Sequence, residues 1–176
     1  MRIAISGKSG CGNTTVSTLV ASQLGYPLIN FTFRNLAKER NVDFWHLCKL
    51  AEQDDSIDRE LDRRQVEMAM AQQDCVLGSR LAIWMLEQAN LKVYLTASAE
   101  TRAQRIFLRE GGSPQKRLEE TLARDALDTA RYKRLYDIDN TDPSVADLII
   151  DTELYHAQEI ADMIVQRVNS LKQRLS

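Results

Sequence analysis

The sequence predicts an α/β fold, a five-stranded parallel sheet flanked by helices and carrying a helical insertion and a helical lid. Three observations lead there. Short β-prone apolar runs alternate with segments whose apolar residues recur at helical spacing, and each crossover of that kind must pass over the sheet. The strand runs are largely apolar, as in strands covered on both faces. A glycine-rich stretch lies between the first strand and the first helix. The 176 residues, net charge of −2 and 44% hydrophobic content suit one domain with a real core. Disorder, collagen-like repeats and low complexity are excluded by the apolar content, the 7 Gly and the 3 Pro.

The first strand is read at residues 3–5, ahead of Gly7-Lys8-Ser9-Gly10-Cys11-Gly12-Asn13-Thr14-Thr15. Val16, Leu19, Val20 and Leu24 then recur on one helix face until Gly25, a C-cap, and Pro27. Leu28-Ile29 is the second strand, followed by helical patterns at about 33–40, 43–53 and 56–72. A third strand at 75–77 ends in Gly78-Ser79-Arg80. A short helix near 81–89, a strand at 92–95 and a helix at 99–109 follow. After the break Gly111-Gly112-Ser113-Pro114 comes a charged helix over about 115–135, then the polar turn at 139–143. A strand at 147–151 and an amphipathic helix at about 156–172 complete the chain. The core is therefore assigned to about 1–30, 73–109 and 141–176, with helical segments at about 31–72 and 110–140 inserted between strands. Both insertions stand at the strand ends where open α/β sheets bind ligands.

Gly7 and Gly12 have the spacing of a phosphate-binding P-loop, and Thr14 supplies the hydroxyl that would ligate Mg²⁺. Glycines let successive backbone N–H groups converge on phosphate oxygens at a helix N-terminus. Asn13 stands where the pattern has lysine. It offers a hydrogen bond but no charge, and phosphoryl transfer depends on cancelling charge over the phosphates. Lys8, one residue past the first glycine, either folds back over the phosphates of its own or a partner subunit, or is a solvated charge at the loop tip.

With these residues in place, the chain resembles the cytidylate kinase-like group of P-loop nucleoside monophosphate kinases. The resemblance runs in order through residues 3–7, 33–40, 57–65, 78–82 and 124–131. It implies ATP on the loop (Gly7, Lys8, Ser9, Gly10, Cys11, Gly12, Asn13, Thr14 and Thr15), with Mg²⁺ as cofactor. It also implies a nucleoside monophosphate held by the first insertion, lid arginines around the phosphates, and transfer of the γ-phosphate to CMP or dCMP. Arg34 and Arg80, just past the second and third strands, suit the monophosphate's oxygens. Arg124, Asp125, Asp128 and Arg131 have the family's lid spacing, and offsets of four and seven put Arg124, Asp128 and Arg131 on one helix face. Lys8, Arg124, Asp128 and Arg131 form the expected catalytic set. Arg105, chosen from Arg102, Arg105 and Arg109, is expected on adenine or a phosphate. Asp58, Asp62 and Arg63 are expected at the cytosine base.

Where related kinases often carry a carboxylate near the metal's water shell, this chain has Gly78. Two other readings therefore stand beside the enzyme: a regulator that binds nucleotide without turnover, and a P-loop kinase for another small acceptor. The expected partners are small nucleotides, with no nucleic acid or membrane, in a cytoplasmic monomer or weak homodimer. Nine basic and five acidic residues between 102 and 134 make that stretch +4 within a near-neutral chain, a local charge suited to polyphosphate.

Overall fold

A computed structural model describes residues 1–175. In chain order the elements are β1 (Arg2–Gly7), α1 (Asn13–Leu24), β2 (Leu28–Ile29), α2 (Phe33–Glu39), α3 (Phe44–Ala51), α4 (Asp55–Met70) and β3 (Cys75–Gly78). They continue with α5 (Ala82–Met85), β4 (Leu91–Thr96), α6 (Ala99–Glu110), α7 (Pro114–Tyr136), β5 (Leu148–Asp151) and α8 (Ala157–Leu175). All five strands are parallel, in the order β2-β3-β1-β4-β5. The chain leaves β1 toward one edge and later returns to β1's other side with β4. The loop after β1 thus opens at the switch point of the sheet, where its carboxyl ends form a crevice.

Alternation along the strands builds two cores. Ile3, Ile5, Val93 and Leu95 face Val16 and Val20 of α1 and Ile160, Ile164 and Val168 of α8. Ala4, Leu77 and Tyr94 face Ala82, Ile83 and Leu86 on the other side. A third cluster, with Phe31, Leu36, Leu47, Ile57 and Leu61, lies within the first insertion. Bringing these residues out of water is the main favourable term in holding the layers together.

The expected helix near 81–89 is only a single turn, Ala82–Met85. Leu86 has left helical backbone at φ −90°, ψ 74°. Asn90 is tied to β1, its N–H donating to the Arg2 carbonyl and its side chain accepting from the Arg2 N–H at 2.7 Å. The chain must already run extended toward Leu91 there, so the apolar run plugs the sheet face instead of continuing as helix. Ser6 anchors that plug by accepting a hydrogen bond from the Ile83 N–H.

Candidate active site

The loop from Gly7 to Thr14 turns through Gly10 (φ +86°) and Gly12 (φ +87°), both in the left-handed region that suits glycine. At Gly10 space is limiting too, since a Cβ would meet Arg102 Cβ at 2.8 Å and the Arg102 carbonyl oxygen at 2.9 Å. The loop therefore rests directly on α6. Within it the Cys11 N–H donates to the Lys8 carbonyl at 3.1 Å. Burial pushes the Cys11 thiol up, Arg102 opposing, which favours the neutral thiol. Thr14, in the first turn of α1, is exposed.

Asn13 turns toward the end of β3. Its Nδ2 donates to the Ser79 carbonyl at 3.2 Å, and its Oδ1 accepts from Ser17 Oγ at 2.9 Å. The same packing accounts for Gly78, where a Cβ would lie 2.5 Å from Ser17 Oγ and 2.9 Å from Ser17 Cβ. No carboxylate fits at position 78 while Ser17 stands there. Asn13 in the loop and Gly78 at the end of β3 are thus parts of one packing arrangement around Ser17.

Charged side chains gather around the loop. Lys8 Nζ lies 3.6 Å from Asp125 Oδ2 of α7. Asp125 is gripped by both terminal nitrogens of Arg102, at 3.1 and 2.6 Å, while Arg102 also donates to the Ser9 and Ala97 carbonyls. One turn along α7, Asp128 accepts from Arg80 at 2.6 Å and Arg131 at 3.1 Å, with Arg124 Nε at 4.0 Å. Arg131 also reaches Asp58 of α4 at 3.6 Å. Five cations share three carboxylates, an excess of positive charge beside the glycine-rich loop. Gly7, Lys8, Arg80, Asp125 and Asp128 line one narrow pocket. A second cavity of about 230 Å³ lies behind Lys8, between the end of β4 and the Thr141 to Pro143 turn.

On the insertion side, Asp58 is buried and its carboxyl is pushed up by that burial, with Arg131 opposing. Asp62 is pushed up to about 6 by burial, although the hydrogen bond that Tyr136 donates at 2.7 Å works the other way. Arg134 pairs with Asp55 at 2.6 Å. The carboxylates of α4 thus face the last turns of α7.

Arg80, Asp58, Arg124, Asp128 and Arg131 are brought into one ion-pair network, Lys8 joins the separate pair of Asp125 and Arg102 beside it, and Asp62 lies one helical turn from Asp58. Three expected residues are placed otherwise. Arg34, expected beside Arg80, is exposed and lies over the Phe44 ring, 4.3 Å from its centre. Arg63 is ion-paired with Glu67 on the exposed face of its own helix. Arg105 braces the loop, donating to Thr152 Oγ1 (2.8 Å), the Thr152 carbonyl (2.7 Å) and the Gly10 carbonyl. Sequence reasoning passed over Arg102 in favour of Arg105, and it missed Ser17 and Tyr136. The available signal for Arg102 was its place in the first turn of α6, nearest the sheet's carboxyl edge.

The model of the cytidylate kinase-like family matches residues 2–154. A cytidylate kinase of Methanocorpusculum labreanum is 42% identical over 176 residues, covering 99% of each chain. Cytidylate kinase 2 of Borreliella afzelii is 43% identical over 173 residues, 96% of this chain and 97% of that one. Among solved structures, shikimate kinase from Acinetobacter baumannii aligns at TM-score 0.62 and 20% identity, covering 96% of this chain and 93% of that one. Deoxyadenosine kinase from M. mycoides aligns at TM-score 0.59 and 18% identity, covering 96% and 100%. The structures show a shared kinase fold; the sequence matches show that this chain belongs to the cytidylate kinase-like family.

Proposed function

We propose that the protein transfers the γ-phosphoryl group of Mg-ATP to CMP or dCMP. The observation that carries this reading is the convergence of Arg80, Arg124 and Arg131 on the Asp128 carboxylate, opposite the phosphate loop. Three guanidinium groups around one anion, from a strand end and a lid helix, suit a phosphoryl group in transfer between two nucleotides. A protein that only sensed ATP has little use for them.

In this reading the loop N–H groups and the start of α1 hold the ATP phosphates. The bond from the γ-phosphorus to the ADP oxygen breaks as one forms to a phosphate oxygen of the acceptor. Arg80, Arg124 and Arg131 neutralise the oxygens between them, Lys8 supplies the charge that Asn13 lacks, and α7 excludes water as a lid. Mg²⁺ would be held by the Thr14 hydroxyl, the phosphates and water, and would spread phosphate charge; an exposed hydroxyl at the helix start fits that role. The insertion over residues 31–72 holds the acceptor, with the free oxygen of Asp58 available to the cytosine amino group.

The test is ADP formation from Mg-ATP with each nucleoside monophosphate in turn. CMP or dCMP should be fastest, and Lys8→Ala should lower turnover about 10²-fold, as for loss of one preorganised charge. An unchanged Lys8→Ala rate would remove Lys8 from the mechanism. A second reading, a nucleotide-binding regulator, is favoured by the engagement of Asn13 with Ser79 and Ser17. ATP binding without ADP from any acceptor would establish it, and preference for an acceptor that is not a nucleotide would point to a different small-molecule kinase.

A further inference from the structure

A lysine at position 13 would be attached to the loop it serves. Lys8 is on a longer tether, and the carboxylate it meets, Asp125, belongs to α7. Asp125 has little freedom of its own. Arg102, only 3% exposed, clamps both of its oxygens and is itself fixed by the Ser9 and Ala97 carbonyls. The backbone of Arg102 also packs on Gly10 so closely that no Cβ fits between them. Loop, α6 and lid therefore meet at one buried guanidinium. Lys8 is the one member of that group whose ammonium is partly open, its side chain 27% exposed on the mouth of the narrow pocket.

We propose that Asp125 is a positioning residue that places the Lys8 ammonium over the phosphates, so that the charge missing at position 13 is supplied only while the lid helix is docked. This rests on the role assigned to Lys8 in phosphoryl transfer. The physical argument is one of preorganisation. A flexible ammonium free in water contributes little to a transition state, whereas one held at a fixed point costs no reorganisation as charge develops. Asp125 does not compete with a bound nucleotide for all of Lys8. At 3.6 Å the pair is loose, and an ammonium has three donors to share. The arrangement also makes the loop charge conditional. With α7 away from α6, Lys8 loses its anchor and the loop lacks a placed cation, which disfavours transfer to water before the acceptor is enclosed.

The test is a double-mutant cycle on the full chain with Lys8→Ala and Asp125→Asn, read as kcat and KM with CMP and as ATP affinity by titration calorimetry. Asparagine at 125 keeps one acceptor oxygen for Arg102 but removes the charge facing both Arg102 and Lys8, so the melting temperature of Asp125→Asn reads any loosening of α7 separately from the loss at Lys8. Asp125→Asn in the native background should lower kcat about 10²-fold, the scale of a misplaced catalytic group, and change KM for CMP less than about threefold. It should also weaken ATP binding. In the Lys8→Ala background it should lower neither kcat nor ATP affinity further. Equal losses in both backgrounds, or an unchanged Asp125→Asn protein, would overturn the proposal. The arms separate the two ideas: no CMP turnover by the native chain counts against the function, while the ATP-affinity cycle still decides the coupling.

Discussion

Asp58 Oδ1 and Arg131 Nη1 lie 3.6 Å apart between α4 and α7, yet Asp58 Oδ2 and Arg131 Nε are both buried without a hydrogen-bond partner. Leaving a buried polar atom unpaired costs about 1–3 kcal/mol. Two such atoms on one ion pair, between α4 and α7, are groups that the proposed acceptor would satisfy. Asp58→Asn should raise KM for CMP about 10-fold or more with kcat much less affected, and it should narrow the preference for CMP over UMP. Steady-state kinetics with both acceptors check this. An unchanged CMP to UMP ratio would take Asp58 away from the base.

Asp62 carries a pH dependence of defined sign. Its carboxyl titrates at about 6 in the fold against an ordinary 3.8, because burial outweighs the Tyr136 hydrogen bond. The native state then holds the proton more tightly than the unfolded chain, so Asp62's contribution to stability falls as pH rises from about 4 to about 6 and is level above. Asp62→Asn keeps an acceptor for Tyr136 and removes that slope. Its Tm should lie close to the native value near pH 4 and exceed it by about 5–10 °C at pH 7, since a shift of this size is worth about 2–3 kcal/mol and each kcal/mol moves Tm by about 2–4 °C in a chain of this length. Melting curves across that range test it, and parallel curves would contradict it.

Gly78→Ala should destabilise the protein by about 1–3 kcal/mol, the usual cost of overpacking, because the new Cβ meets both heavy atoms of the Ser17 side chain. Adding Ser17→Gly clears those atoms and should recover part of the loss beyond what the two single changes predict by addition. Urea unfolding of the four proteins gives the coupling directly. Simple additivity would show that Ser17 is not what confines position 78.

Arg105→Ala should weaken ATP binding several-fold without changing acceptor preference. Its guanidinium joins the Gly10 carbonyl to Thr152 at the end of β5, so its loss loosens the loop and leaves those acceptors short of donors. Calorimetric titration with ATP, together with CMP kinetics, separates this bracing role from direct contact with adenine. A variant that binds ADP and GDP with a changed ratio would favour base contact instead.

How much of this was legible beforehand differs by residue. Residues 3–5 and 92–95 read correctly as strands because short, largely apolar runs between helical segments mark strands covered on both faces. The shared α7 face of Arg124, Asp128 and Arg131 was also legible, since helical offsets fix neighbours without reference to the rest of the chain. The length of α5 was not, because its end is set by Asn90 bonding across to Arg2, 88 residues away. Arg34 and Arg80 looked equivalent in the sequence, both arginines just past a strand, yet one lies on Phe44 and the other on Asp128.

The sequence by itself determined the alternation of strands and helices, the glycine-rich turn with P-loop spacing, and the family to which those residues belong. All of these are properties of neighbouring residues or of short periodic spacing. Only the tertiary structure decided the strand order, the turning of Asn13 toward Ser79, the exclusion of any side chain at Gly78, and the pairing of Arg102 with Asp125. Each of those is a contact between segments far apart in the chain, where sterics and charge select one partner from many of the same residue type.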